Sequence, residues 1–233
     1  MNKYILVGTH HKSGTVWMQN MFSIFAKFNG YDFKNMQIDK IKDLNKPHIF
    51  FSYDSNFDYL KNRFGISEKA IQIVRDPRDL AISGVKYHSK KNVNEEWLYL
   101  EKNGMPSYYE NLKSKKSFEE KVLFESENIT MYTVKEMIKC KNKTNILTIK
   151  YEDLFNDFEK FDTLKKIAKH FNMSIKEFNL LKKSYIETHI FYVGKNDRVS
   201  NGQAEQYKSL NKDTQKKLID FFKKEIAALE YKE

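Results

Sequence analysis

Near the N-terminus a short apolar run, Tyr4-Ile5-Leu6-Val7, stops at Gly8 and gives way almost at once to helical spacing. Trp17, Met21, Ile24, Phe25 and Phe28 then recur on one helical face, which Gly30 ends. A strand that is short and apolar throughout belongs inside a parallel sheet, and the helix after it must cross back over that sheet. The pattern returns. His48-Ile49-Phe50-Phe51-Ser52, Ala70-Ile71-Gln72-Ile73-Val74 and Ile146-Leu147-Thr148-Ile149 read as three more strands, each followed by polar turn residues and helical spacing. The expected fold class is α/β, a three-layer sandwich with a central parallel sheet and helices on both faces. Ligands bind such sheets beyond the carboxyl ends of the strands.

Pro77 suits the first turn of a helix running to about Tyr87, and a long helix is expected over 117–139. Phe161, Leu164, Ile167, Ala168 and Phe171 mark one face of a later helix, and Leu218, Phe221, Phe222 and Ile226 mark a closing one. Residues 89–117 are polar and contain Gly104-Met105-Pro106-Ser107, which reads as a mobile insertion. At 233 residues the chain is expected to form a single domain, 1–233.

The 18 Phe and 14 Tyr exclude a disordered chain. Cys140 is the sole cysteine, so neither an internal disulfide nor a cysteine-based zinc site is expected, and a reducing, cytoplasmic setting fits. No stretch has the apolar length of a membrane span. A net charge of +10 implies either an anionic partner or a solvated lysine-rich surface, since the lysines are spread along the whole chain.

Two segments narrow the choice. Gly8-Thr9-His10-His11-Lys12-Ser13-Gly14-Thr15-Val16-Trp17 joins the first strand to its helix, where backbone N–H groups and the positive helix end gather an anion. Lys12 adds a charge there, Gly14 allows close backbone approach, and the Ser13 and Thr15 hydroxyls either bind phosphate oxygens or cap the helix. In the nucleotide triphosphatase P-loop the lysine follows the second glycine, whereas here it precedes it. The second segment, Val74-Arg75-Asp76-Pro77-Arg78-Asp79 through Ser83, puts an arginine at a strand end and a serine two turns into the next helix. Either Arg75 and Ser83 reach one phosphate, or the arginines and aspartates form a salt-bridged turn.

Lys12-Ser13-Gly14-Thr15-Val16-Trp17 resembles the K-[ST]-G-T-x-W loop of sulfotransferases, with His11 where many members have proline. Arg75 and Ser83 match that family's second phosphate element, and Tyr151-Glu152-Asp153 resembles its Tyr-Glu-Asp motif. Ser184-Tyr185 and Arg198-Val199-Ser200 look more loosely like its donor-covering loop, where Arg198 stands for the family arginine. The resemblance implies a P-loop-like fold and transfer of a sulfuryl group from 3′-phosphoadenylyl sulfate (PAPS) to a hydroxyl or amine, with no metal required. In that reading Lys12 to Trp17 hold the 5′-phosphosulfate, Arg75 and Ser83 hold the 3′-phosphate, and Tyr151 lies by the adenine. Ser184 and Arg198 would cover the donor.

Sulfuryl transfer needs a cation at the leaving oxygen, for which Lys12 is the candidate, and a base for the acceptor proton. Where many relatives have a histidine after the second strand, this chain has Tyr53, followed by Asp54. Tyr53, Asp54, His11 and His10 are the candidates for the base. His48 lies at the other end of its strand and reads as a surface residue. His88 reads as structural or near the donor, and His170 and His189 carry no signal. The expected partner is a small-molecule or glycan acceptor. Trp97, Tyr108, Tyr109 and Phe57 suit an apolar one, and Lys90, Lys91, Lys113, Lys115 and Lys116 an acidic one. Nucleic acid is not expected. A P-loop-type small-molecule kinase and a non-catalytic polyanion-binding module are the competing readings.

Overall fold

The computed structural model describes residues 4–41, 44–91, 93, 95–101, 104–189 and 203–232. The chain divides into two compact units, the first formed by 1–75 with 136–202 and the second by 76–135 with 203–233.

The first unit holds a five-stranded parallel sheet in the order β2-β3-β1-β4-β5. Its strands are β1 (Tyr4–Gly8), β2 (Asp32–Asn35), β3 (His48–Ser52), β4 (Ala70–Val74) and β5 (Ile146–Lys150). The four strands expected from their apolar runs are all present. β1 is in register with β3 from Tyr4↔His48 to Gly8↔Ser52, and β4 with β5 from Ala70↔Ile146 to Val74↔Lys150. β2 escaped the apolar pattern. Its sequence, Asp-Phe-Lys-Asn, is mostly half-buried, as suits an edge strand with one flank open to water. His48 corrects an expectation, because it is buried: its ring stacks on Phe50 and its Nδ1 lies 2.7 Å from the Lys46 carbonyl.

The helices of this unit are α1 (Thr15–Asn29), α2 (Asp58–Phe64), α7 (Tyr151–Phe155), α8 (Asp162–His170) and α9 (Ile175–Thr188), with the later part of α6 (Met131–Lys141). The buried stripe of α1 is Met18, Met21, Phe22, Phe25 and Ala26, rotated slightly from the expected face. Because the sheet is parallel, the loops after β1, β3, β4 and β5 all leave from its carboxyl edge. That topology brings Lys12, Tyr53, Arg75 and Tyr151 to one edge.

The second unit is helical and contains α3 (Pro77–His88), α4 (Tyr108–Ser114), α5 (Phe118–Glu125), α10 (Lys212–Phe221) and α11 (Lys223–Ala228). Ala81, Ile82, Val85, Leu112, Val122, Leu218, Phe222 and Ile226 form its core. The long helix expected over 117–139 is interrupted by a π turn at Ser126–Thr130, which separates α5 from α6. The closing helix is likewise two helices, broken where Phe222 leaves helical geometry. Within 89–117, a 3₁₀ turn at Glu96–Tyr99 precedes α4, whose start is held by a reciprocal Ser107–Glu110 capping box.

Glu125 is buried at the centre of this unit. One carboxylate oxygen accepts from Tyr108 Oη at 2.6 Å and lies 2.9 Å from His88 Nδ1. The other lies against Gly84, where an added Cβ would sit 2.3 Å from it. Exchanging a helical glycine for alanine ordinarily stabilises a protein by about 1 kcal/mol. Gly84→Ala is expected to do the reverse and cost about 1–3 kcal/mol, because Glu125 cannot retreat without abandoning His88 and Tyr108. Thermal unfolding reads the sign, and a Tm equal to or above the wild type would contradict this packing.

Candidate active site

The loop after β1 is held by its own atoms. Ser13 Oγ accepts from the His10 amide at 2.8 Å and donates to the His10 carbonyl at 2.9 Å, and Thr15 Oγ1 donates to that same carbonyl at 3.0 Å. Neither hydroxyl caps α1. The N-cap is Gly14, in a left-handed conformation with φ 95°, and Lys12 also has positive φ, 63°. The amides of Thr15, Val16 and Trp17 fall in the first turn of α1, whose N–H groups have no partner within the helix itself. The loop therefore aims N–H groups and the positive end of a 15-residue helix outward from the sheet edge, with a lysine beside them.

Two side chains from neighbouring strand ends brace this loop. Arg75, one residue beyond β4, is buried and donates from Nη1 to the Lys12 carbonyl at 3.1 Å. Its guanidinium lies 4.7 Å from the centre of the Tyr151 ring, which opens α7 immediately after β5. The Tyr151 ring in turn covers Gly14, where a Cβ would stand 2.8 Å from two ring carbons. Trp17 meets Tyr151 edge-on at 5.9 Å and is ringed on other sides by Phe155, Tyr185 and His189. Val16 is exposed. In this way the structure gathers Lys12, Ser13, Gly14, Thr15, Trp17, Arg75 and Tyr151, all within the first unit.

Other expected residues fare differently. Ser83 lies in the second unit, buried in the middle of α3. The alternative of a salt-bridged turn belongs to Arg78, which grips Asp76 through Nε at 2.9 Å and Nη2 at 2.7 Å, and not to the Arg75 bond described above. Ser184 and Tyr185 were expected in a loop, but both lie within α9. There Ser184 Oγ donates to the Leu180 carbonyl and Tyr185 Oη to that of Leu154, because the apolar face of α9 continues through them against the core. Arg198 lies outside the described residues.

The base candidates separate by their surroundings. His10 is buried, and its Nε2 lies 3.0 Å from Gln72 Oε1. Gln72 donates its amide hydrogens to Met137 O and Thr148 Oγ1, so its oxygen must receive the imidazole proton. Burial lowers the His10 pKa to about 4, and it serves the loop as a neutral spacer. The signal for Gln72 in the sequence is faint, a lone amide within Ala70-Ile71-Gln72-Ile73-Val74, and it does not mark a functional residue by itself. Asp54 closes the turn after β3, accepting from Ser52 Oγ at 2.6 Å and from the Asn56 amide at 2.9 Å. The Tyr53 hydroxyl accepts from Asn35 Nδ2 and lies 3.5 Å from Gln19 Oε1. His11, half-buried, stands next to Lys12 in the loop.

Comparison with curated proteins returns no match. Among solved structures, a mouse sulfotransferase, SULT7A1, complexed with PAP is similar over 97% of this chain and 84% of its own, at 18% identity and a TM-score of 0.55. A retinol dehydratase in complex with androsterone and the inactive cofactor PAP is similar over 96% and 80%, at 12% identity and a TM-score of 0.57. These likenesses establish a shared fold. The model of the sulfotransferase domain matches residues 2–229, across both units, and the chain therefore belongs to the sulfotransferase family, whose common chemistry is sulfuryl transfer.

Proposed function

We propose that the protein transfers a sulfuryl group from PAPS to a hydroxyl or amine by in-line displacement, releasing adenosine 3′,5′-bisphosphate. The observation that carries this reading is the loop at Lys12–Thr15, with a left-handed Gly14 opening α1 and the buried Arg75 bonded to its backbone. Phosphate oxygens fit outward N–H groups at the start of a long helix, and a buried arginine fork fits a phosphate monoester. The donor supplies the activated sulfuryl group. The first-turn amides orient its 5′-phosphosulfate, Lys12 balances charge growing on the leaving oxygen, and Arg75 takes the 3′-phosphate, with Ser83 assigned to the same phosphate by resemblance. Tyr151 and Trp17 offer ring surface to the adenine, and Ser184 and Arg198 are kept as donor-side residues by resemblance alone.

The acceptor proton passes to a base that we place among Tyr53, Asp54 and His11, since His10 is engaged with Gln72. Both units belong to one transferase domain in this reading. The acceptor is a small molecule or a glycan. The retinol dehydratase structures, which hold androsterone or retinol, are examples of relatives in fold with apolar ligands. The decisive measurement is calorimetric titration with adenosine 3′,5′-bisphosphate, and separately with ATP and magnesium. Magnesium-independent binding of the bisphosphate, tighter than that of ATP, is expected. A preference for ATP with magnesium would instead favour a kinase.

A further inference from the structure

Arg75 has a duty that a 3′-phosphate ligand does not explain. Its Nη1 donates to the carbonyl of Lys12, within the loop after β1, and Lys12 holds a positive φ of 63°. A non-glycine residue in that region is strained and persists only where its surroundings over-determine it. The peptide linking Lys12 to Ser13 is fixed on both sides. Its carbonyl is held by Arg75 and its N–H donates to the His10 carbonyl at 3.0 Å. Arg75 is itself fixed by the Tyr151 ring at 4.7 Å, and the same ring covers Gly14, so one side-chain stack touches both left-handed residues of the loop.

We propose that Arg75 is a positioning residue for the 5′-phosphosulfate loop as well as a ligand of the 3′-phosphate, so that it presets Lys12 and the α1 amides before any donor arrives. A guanidinium carries five N–H donors, so bracing a carbonyl and gripping a phosphate are compatible. The inference rests on the PAPS reading for its ligand but makes a claim about the empty loop that can be measured without one. It also separates two roles that are otherwise merged, since a residue serving the 3′-phosphate alone would leave 5′-phosphate affinity untouched.

The test compares wild type, Arg75→Ala and Arg75→Lys in two measurements. The first is hydrogen exchange of the amides of residues 12–17 in ligand-free protein, with the core strands as internal reference. The second is calorimetry with adenosine 3′,5′-bisphosphate and with adenosine 5′-phosphosulfate, which lacks the 3′-phosphate. Arg75→Ala is expected to speed exchange in the loop by about ten-fold while β1 and β4 stay protected, and to weaken adenosine 5′-phosphosulfate by about ten-fold, the size of one hydrogen bond to a charged donor. Arg75→Lys, which keeps the charge but replaces the planar fork by one ammonium group, guards against failure of the alanine variant to fold and should fall between the two. Loss of bisphosphate binding with unchanged loop exchange and unchanged 5′-phosphosulfate affinity overturns the proposal and leaves the PAPS reading intact. Faster loop exchange in a protein whose wild type binds neither nucleotide upholds the brace and removes the donor reading.

Discussion

Lys12→Met is expected to lower sulfuryl transfer by about 10²- to 10³-fold while weakening the binding of unreacted PAPS by no more than about ten-fold; this is the split expected if the ammonium acts chiefly on charge that grows as the bond to the bridging oxygen breaks. In the proposed donor complex the bridging oxygen carries no full charge and the first-turn amides also face the 5′-phosphosulfate, so the loss of one cation is partly covered. As the bond breaks the bridging oxygen gains charge, and without the ammonium that added charge is left to the amides alone. The same assay ranks Tyr53→Phe, Asp54→Asn and His11→Gln, where loss of a general base costs about 10²- to 10⁴-fold. Turnover and PAPS binding falling equally in Lys12→Met would remove its assignment to the leaving group. Near-wild-type rates in all three of the others would put the base elsewhere.

Gly14→Ala is expected to abolish measurable donor binding and to lower stability by about 1–3 kcal/mol, an effect far larger than a single methyl group suggests. Two independent conflicts produce it. A φ of 95° is a conformation that L side chains rarely adopt, and the new Cβ would meet the Tyr151 ring at 2.8 Å. Arg75 lies on that ring, so the ring has little room to yield. The two conflicts can be separated by a double-mutant cycle. In a Tyr151→Ala background the Gly14→Ala penalty should shrink to the backbone part alone. Thermal unfolding and bisphosphate calorimetry read both quantities, and an undiminished penalty in that background would mean that the Tyr151 contact contributes nothing.

Much of this architecture was legible because apolar runs and helical spacing report burial directly. β1, β3 and β4 announce themselves by mostly apolar residues, since a parallel strand covered on both faces has little polar side, and the edge strand β5 does so through Ile146, Leu147 and Ile149 although it is only partly buried. β2 does not, because an edge strand of Asp-Phe-Lys-Asn has no such constraint. Ser107-x-x-Glu110 and Ser174-x-x-Glu177 carried capping-box signals that place the starts of α4 and α9. Reading the second of these through to its apolar face would have kept Ser184 in a helix. The burial of His48 is not legible in the sequence, because position within a strand does not reveal what packs on it.

The segment Gly8–Trp17 by itself determined a strand end, a turn and a helix start with a lysine and a glycine at fixed places, a pattern that suits an anion, because hydrogen-bonding capacity and φ preference belong to residues in sequence. What the loop is braced by belongs to tertiary structure alone. Arg75 and Tyr151 lie 63 and 139 positions after Lys12, a separation that follows from the numbering, and only the parallel order β1-β4-β5 brings their strand ends beside it. The serine and threonine hydroxyls, open between capping and ligand binding in the sequence, turned inward to the His10 carbonyl once the chain folded. A buried carbonyl requires partners, and only the folded backbone decides which donors are within reach.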